Sequence, residues 1–207
     1  MKAFAFFFPI FFIFLPRTFA YTPKEGNISG TFGPFWSRTN FQGSMPPGLK
    51  RTDLGGFAVV AVGDVNDRGS LEIAMIYMQK AYIRESANLF LSEQTQLMHI
   101  TMGYRRWFTS YISASLAFAS AYPMDTPWVV HTDFPPGSEV DTSARDLVEY
   151  GFDMALQYEL WSHEKDAVVI DTRYFRSVTP KQGERADHFG VMLGFRHLFQ
   201  EKEDRKK

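Results

Sequence analysis

Several charged and polar side chains of this 207-residue chain share one parity within their own segments, and their chemistry sets the first question. Between Val148 and Trp161, Glu149, Asp153, Gln157 and Glu159 alternate with Tyr150, Phe152, Met154, Leu156, Tyr158 and Leu160. Asp171 and Arg173 alternate with Val168, Ile170, Thr172 and Tyr174, while Arg196 lies in Asp187 to Gln200 and His99 and Arg105 lie in Gln94 to Arg105. Paired carboxylates suit general acid and base work, which needs a cleft that admits a substrate. No such cleft is evident around Asp153 and Glu159. Charges gathered on one enclosed face must instead pair, because an isolated buried charge is very costly. The expectation is an ion-pair network of Glu149, Asp153, Glu159, Asp171, Arg173, Arg196, His99 and Arg105 filling an interior, with a proton or ion path as the sharper alternative. His99 and Thr101 put an imidazole and a hydroxyl on one face, but no third partner is fixed as nucleophilic catalysis would require. His131, His163, His188 and His197 have no metal-ligand spacing, so neither metal nor cofactor is expected.

The elements that must position these residues are strands, since a helix would mix the two alternating sets. Leu54 to Asp64 is an apolar run that ends in a turn at 65–70, and Leu71 to Arg84 returns as its partner. Gln94 to Arg105 alternates Met98, Ile100, Met102 and Tyr104 against Leu97, His99, Thr101, Gly103 and Arg105. Ser110 to Tyr122 sets Ile112, Ala114, Leu116 and Phe118 against small residues. Val148 to Trp161, Asp166 to Ser177 and Asp187 to Gln200 complete the series. Ile28 to Arg38 is the weakest strand, because Gly30, Gly33 and Pro34 suit an edge, a bulge or a loop. Connections 65–70, 106–109 and 162–165 are short, whereas 39–53, 85–93, 123–147 and 178–186 are longer, so short and long alternate.

The N-terminal 20 residues answer where the chain goes. Lys2 supplies a positive start, Ala3 to Leu15 a Phe-rich apolar run interrupted by Pro9, and Thr18-Phe19-Ala20 the small residues before a cut, which together read as a secretory signal peptide over 1–20. Without Lys2 and Arg17 the remaining chain has 20 basic against 23 acidic residues, a net charge of −3, with no basic excess to attract nucleic acid. There is no cysteine, so export is not used to staple the fold. Residues 21–200 are expected to form one domain, followed by a charged tail over 201–207.

In Asp187 to Gln200, Phe189, Val191, Leu193, Phe195, His197 and Phe199 form one face and end on an aromatic residue. This resembles the closing strand of bacterial outer-membrane β-barrels; His197 and the charged tail depart from that pattern. With the leader, the strand count and the alternating connections, the stretch from about 28 to 200 resembles the small OmpA/OmpX/OmpW-like barrels. The resemblance implies an all-β, antiparallel up-and-down transmembrane barrel of eight strands, with short periplasmic turns, long external loops and an interior only wide enough for side chains. Tyr104, Trp107, Phe108, Tyr111, Trp161 and Phe199 would form one aromatic girdle, and Tyr82, Tyr122, Tyr150, Tyr174 and Phe189 the other. The function expected is a structural or surface-contact role in the outer membrane with a plugged lumen and no enzymatic activity. The partners expected are outer-membrane lipid and lipopolysaccharide, together with a surface partner met through Trp128, His131 and Phe134; the protein is expected to be a monomer. Two alternatives stand beside it: a lipocalin-like periplasmic ligand-binding barrel, and a lipid A-modifying barrel enzyme, since such enzymes use His and Ser on a strand where this chain has His99 and Thr101.

Overall fold

The computed structural model describes residues 21–39, 53–138, 140, 142–146, 148–181 and 183–201. The expected signal peptide and nearly all of the charged tail lie outside the described residues. Within them the two-residue alternation becomes a sheet closed on itself. Its strands are β1 (Ile28–Thr39), β2 (Asp53–Asn66), β3 (Gly69–Ser86), β4 (Leu89–Trp107), β5 (Ile112–Pro123), β7 (Glu149–His163), β8 (Asp166–Ser177) and β10 (His188–Gln200). Each pairs antiparallel with its neighbour in that order, and β10 returns to β1 with Ile28 opposite Gln200 and Thr39 opposite His188. An even strand number brings both chain ends to the same rim as the short turns. Two short strands lie outside the circuit: β6 (Trp128–Thr132) pairs with β4, and β9 (Glu184–Arg185) pairs with β3.

The outer face is the apolar one. Phe32, Trp36, Val59, Leu71, Ile73, Met75, Leu116, Phe118, Phe152, Met154, Leu156, Val191 and Leu193 are all exposed, whereas their sequence neighbours are buried. A water-soluble barrel would turn this bulk inward. With eight strands the interior has room only for a mixture of large and small side chains. Phe35 is buried above Gly190, where a Cβ would overlap its ring, and Phe175 stands against Gly151 in the same way.

Two expectations about local structure are sharpened, those for 28–38 and 123–147, and two are corrected, those for 85–93 and the girdles. Ile28 to Arg38 is a full barrel strand; its ladder to β10 is interrupted at Gly33 and Pro34, the positions that made it look weak, while β2 pairs with it through both residues. Residues 85–93 are not a long loop, because β3 and β4 run on beyond the barrel and join through Ala87 and Asn88, both with positive φ (50° and 65°) as a two-residue hairpin turn requires. The long connection 123–147 contains β6 and a 3₁₀ turn, Ser143–Arg145. Trp107 and Tyr82 do not belong to the girdles: both are buried and face inward, while Tyr104, Phe108, Trp161, Phe199, Tyr122, Tyr150 and Phe189 are exposed.

Candidate functional site

Strand parity carries Arg105 on β4, Asp153 on β7, and Asp171 and Arg173 on β8 into the middle of the lumen, all essentially inaccessible to solvent. They meet around Glu72 of β3. Arg105 donates to Glu72 through Nε, to Ser113 Oγ through Nη1 at 2.7 Å and to Asp171 Oδ2 through Nη2 at 2.9 Å. Arg173 donates to Asp171 Oδ1 (2.7 Å), Asp153 Oδ1 (2.9 Å) and Glu72 Oε1 (2.9 Å), using all three of its nitrogens. Ser115 adds a hydroxyl to Glu72 at 3.2 Å. Two guanidinium groups therefore hold three carboxylates, and the planar fork of arginine suits this bridging better than a lysine would.

On the loop side of this cluster His99 stacks edge-on to Phe175 (4.7 Å between centroids) and His188 (5.5 Å), with its Nε2 3.9 Å from Asp153 Oδ2, beyond hydrogen-bond range. Above it Lys80 of β3 pairs with Glu149 at 2.6 Å and lies over the rings of Phe175 and Tyr82, whose hydroxyl also reaches Glu149 at 2.7 Å. At the turn side Arg196 pairs with Glu159 at 2.5 Å. Its guanidinium lies 4.4 Å from the centroid of Tyr21, which packs on Trp107 at 4.7 Å. Tyr21 donates to Asp64 Oδ2 at 2.6 Å, and Ser70 and the amide of Lys24 bind the same carboxylate, so residues 21–27 are tied across this mouth. Burial, and then the Asp64 carboxylate it faces, raise the Tyr21 hydroxyl well above the usual tyrosine range.

The opposite mouth is crossed by a second ionic cluster built from connections. Glu93, near the top of β4, accepts from Thr142 Oγ1 at 2.5 Å and from the Arg145 guanidinium. Glu184 of β9 accepts from the Ser143 amide (2.8 Å) and hydroxyl and from the Lys181 amide (2.9 Å), and Lys181 Nζ donates to the Thr142 carbonyl at 3.1 Å. Beyond it the three loop residues expected to make contacts separate. Trp128 is exposed on β6, His131 is tied to Asp133 at 2.8 Å, and Phe134 is half-buried with its amide on Thr132.

Each charged residue read from the sequence thus lies on the inward face, and Gln157 joins them there. Arg105, Asp153, Asp171 and Arg173 form one cluster, whereas Glu149, and Glu159 with Arg196, belong to separate pairs. Sequence reasoning missed Glu72, Lys80, Tyr82, Asp64 and Tyr21. The parity of Leu71, Ile73, Met75 and Tyr77 against Glu72, Ala74, Ile76, Met78 and Lys80 was the available signal for the first two.

No protein-family model and no curated protein matches the chain. Among solved structures it is similar to the outer membrane protein OprG of Pseudomonas aeruginosa, with a TM-score of 0.54 at 11% identity over 87% of this chain and 99% of that one. Weaker likenesses are to Ail of Yersinia pestis in complex with the heparin analogue sucrose octasulfate (TM-score 0.47, 13% identity, 83% of this chain and 99% of that one) and to AlkL in lipid bilayers (TM-score 0.41, 9% identity, 93% and 98%). The OprG likeness and the closed eight-strand circuit agree: the fold is that of the small eight-stranded outer-membrane β-barrels.

Proposed function

We propose that this protein is an integral outer-membrane barrel whose lumen is plugged by its own ion pairs and whose role is structural or one of surface contact through its loop side. The observation that carries the reading is the pairing of Arg105 and Arg173 with Glu72, Asp153 and Asp171 in the middle of the interior. A conduction path there would have to break several charge-assisted hydrogen bonds at once. The apolar outer face favours a bilayer over the periplasm, and a lipocalin-like ligand cavity would need that face turned inward. Against a lipid A-modifying enzyme stands His99, which has no exposure and sits among lumen side chains, out of reach of a lipid on the outer wall. Contact falls to the sheet above the barrel, where Trp128 and Val129 are exposed on β6 beside a cleft of about 450 Å³ between Pro123–Pro127 and Ala144–Asp146.

Membrane fractionation tests the location, with recovery in the soluble periplasm as the contrary result. Lipid A mass on expression tests the chemistry; a shift lost in His99→Ala would establish the enzyme alternative. Replacing residues 126–138 by a short Gly-Ser linker should abolish surface binding while the barrel still folds, because it spares Thr142 and Ser143.

A further inference from the structure

We propose that Arg38 and Arg176 form a lipid-facing site on the loop-side rim that binds a glycolipid whose headgroup carries two phosphates. The inference rests on the outer-membrane reading above, which puts this rim in the outer leaflet. Along the outward faces of the barrel strands most described side chains are apolar, small or neutral, and charge returns near the strand ends: Arg106 and Asp166 on the turn side, Glu85 on the β3–β4 extension, and Arg38 and Arg176 on the loop-side rim. The last two flank a single strand. Arg38 of β1 is paired with Phe189 of β10, and Phe189 with Tyr174 of β8, two positions before Arg176. Two strand spacings separate the arginines by roughly 10 Å laterally. Arg38 is exposed, and the Arg176 side chain is 67% exposed. Between them the Phe189 and Tyr174 rings lie 4.7 Å apart, with Trp36 and Val191 exposed below.

Two guanidinium groups set apart above an aromatic and aliphatic wall match an amphiphile with two separated anions over acyl chains. A phospholipid with one phosphodiester would engage only one of them. Arginine forks suit phosphate oxygens bidentately, and at a bilayer surface they are only partly hydrated. Asp187 limits the site: its Oδ2 lies 3.9 Å from Arg176 Nη1 and accepts from the Tyr174 hydroxyl at 2.8 Å. It holds Tyr174 against Phe189 and leaves most of the Arg176 fork turned outward.

The test is native mass spectrometry of the purified barrel in mixed micelles, using bisphosphorylated lipid A, the same lipid enzymatically dephosphorylated, and phosphatidylglycerol as probes. Wild type should retain bisphosphorylated lipid A in preference to either of the others, and R38Q/R176Q should lose that retention by roughly tenfold or more while keeping its heat-modifiable gel mobility. R38K/R176K, which keeps the charge but not the fork, should fall between. Equal retention by R38Q/R176Q, or equal binding of phosphatidylglycerol, would overturn the site. Should R38Q/R176Q fail to fold, the three probes on wild type still decide. Labelling a Ser138→Cys variant on intact cells separates the two levels. Labelled cells with no lipid preference refute the site alone, whereas unlabelled cells refute the outer-leaflet orientation and the site with it.

Discussion

The two ionic clusters of this barrel differ in what positions them. In the lumen, Glu72, Arg105, Asp153, Asp171 and Arg173 stand on four strands whose registers are fixed on both sides, and every member is dry. At the loop-side mouth, Glu93, Arg145, Ser143, Lys181 and Glu184 are joined across connections, and the Arg145 side chain is 47% exposed. Strand geometry lets the first cluster place three carboxylates around two guanidinium groups with every member buried. In the second the carboxylates of Glu93 and Glu184 are buried as well, but their partners Arg145 and Lys181 reach solvent. A charge lost from the lumen leaves its partners with nothing to replace it; one lost at the mouth is answered by water.

The largest effect should come from Arg173→Ala, which strands the buried Asp153 carboxylate and leaves Glu72 and Asp171 to Arg105 alone. Urea unfolding in micelles should lose about 3–5 kcal/mol. An unchanged midpoint would mean that water reaches the lumen and that the contrast between the clusters is false. Arg196→Ala should cost less, about 2–4 kcal/mol, since it strands Glu159 alone and removes the cation beneath Tyr21. It should also raise quenching of Trp107 fluorescence by a soluble quencher, measured with the other three tryptophans replaced by phenylalanine. Tyr21→Phe removes one hydrogen bond to Asp64, where Ser70 and the Lys24 amide remain, so about 1 kcal/mol is expected. Arg145→Ala should be the mildest, at about 1 kcal/mol or less in the same assay, because Glu93 keeps Thr142 and gains solvent. A cost as large as that of Arg173→Ala would erase the distinction.

The same difference decides what could be read from the sequence. Inside a strand, side-chain direction follows from parity, so Asp153, Asp171, Arg173, Arg105 and His99 could be assigned to one face without coordinates. Glu72 escaped because its neighbours on that face, Ala74, Ile76 and Met78, are as apolar as those on the lipid side, and the alternation there is blurred. The extended β3–β4 hairpin was hidden for a related reason: Ala87-Asn88 lacks the Asn-Gly signature of such turns, and above the barrel neither face is strictly apolar. Which arginine meets which acid depends on register between strands distant in the chain. The lacing of Glu93 to Thr142 and Arg145, and of Glu184 to Ser143, depends on irregular backbone that no periodicity encodes. Trp107 was readable as an aromatic near a membrane edge, but not as the partner of Tyr21 in the pair that packs against Arg196.

In the plugged lumen proposed above, the paired charges leave no water-filled path through the barrel. Planar-bilayer recording of the purified wild-type protein tests it most directly. A quiet membrane with no stable steps is expected, with steps emerging only when Arg173 or Arg105 is replaced; stable nanosiemens-scale steps from the wild type would contradict the plug.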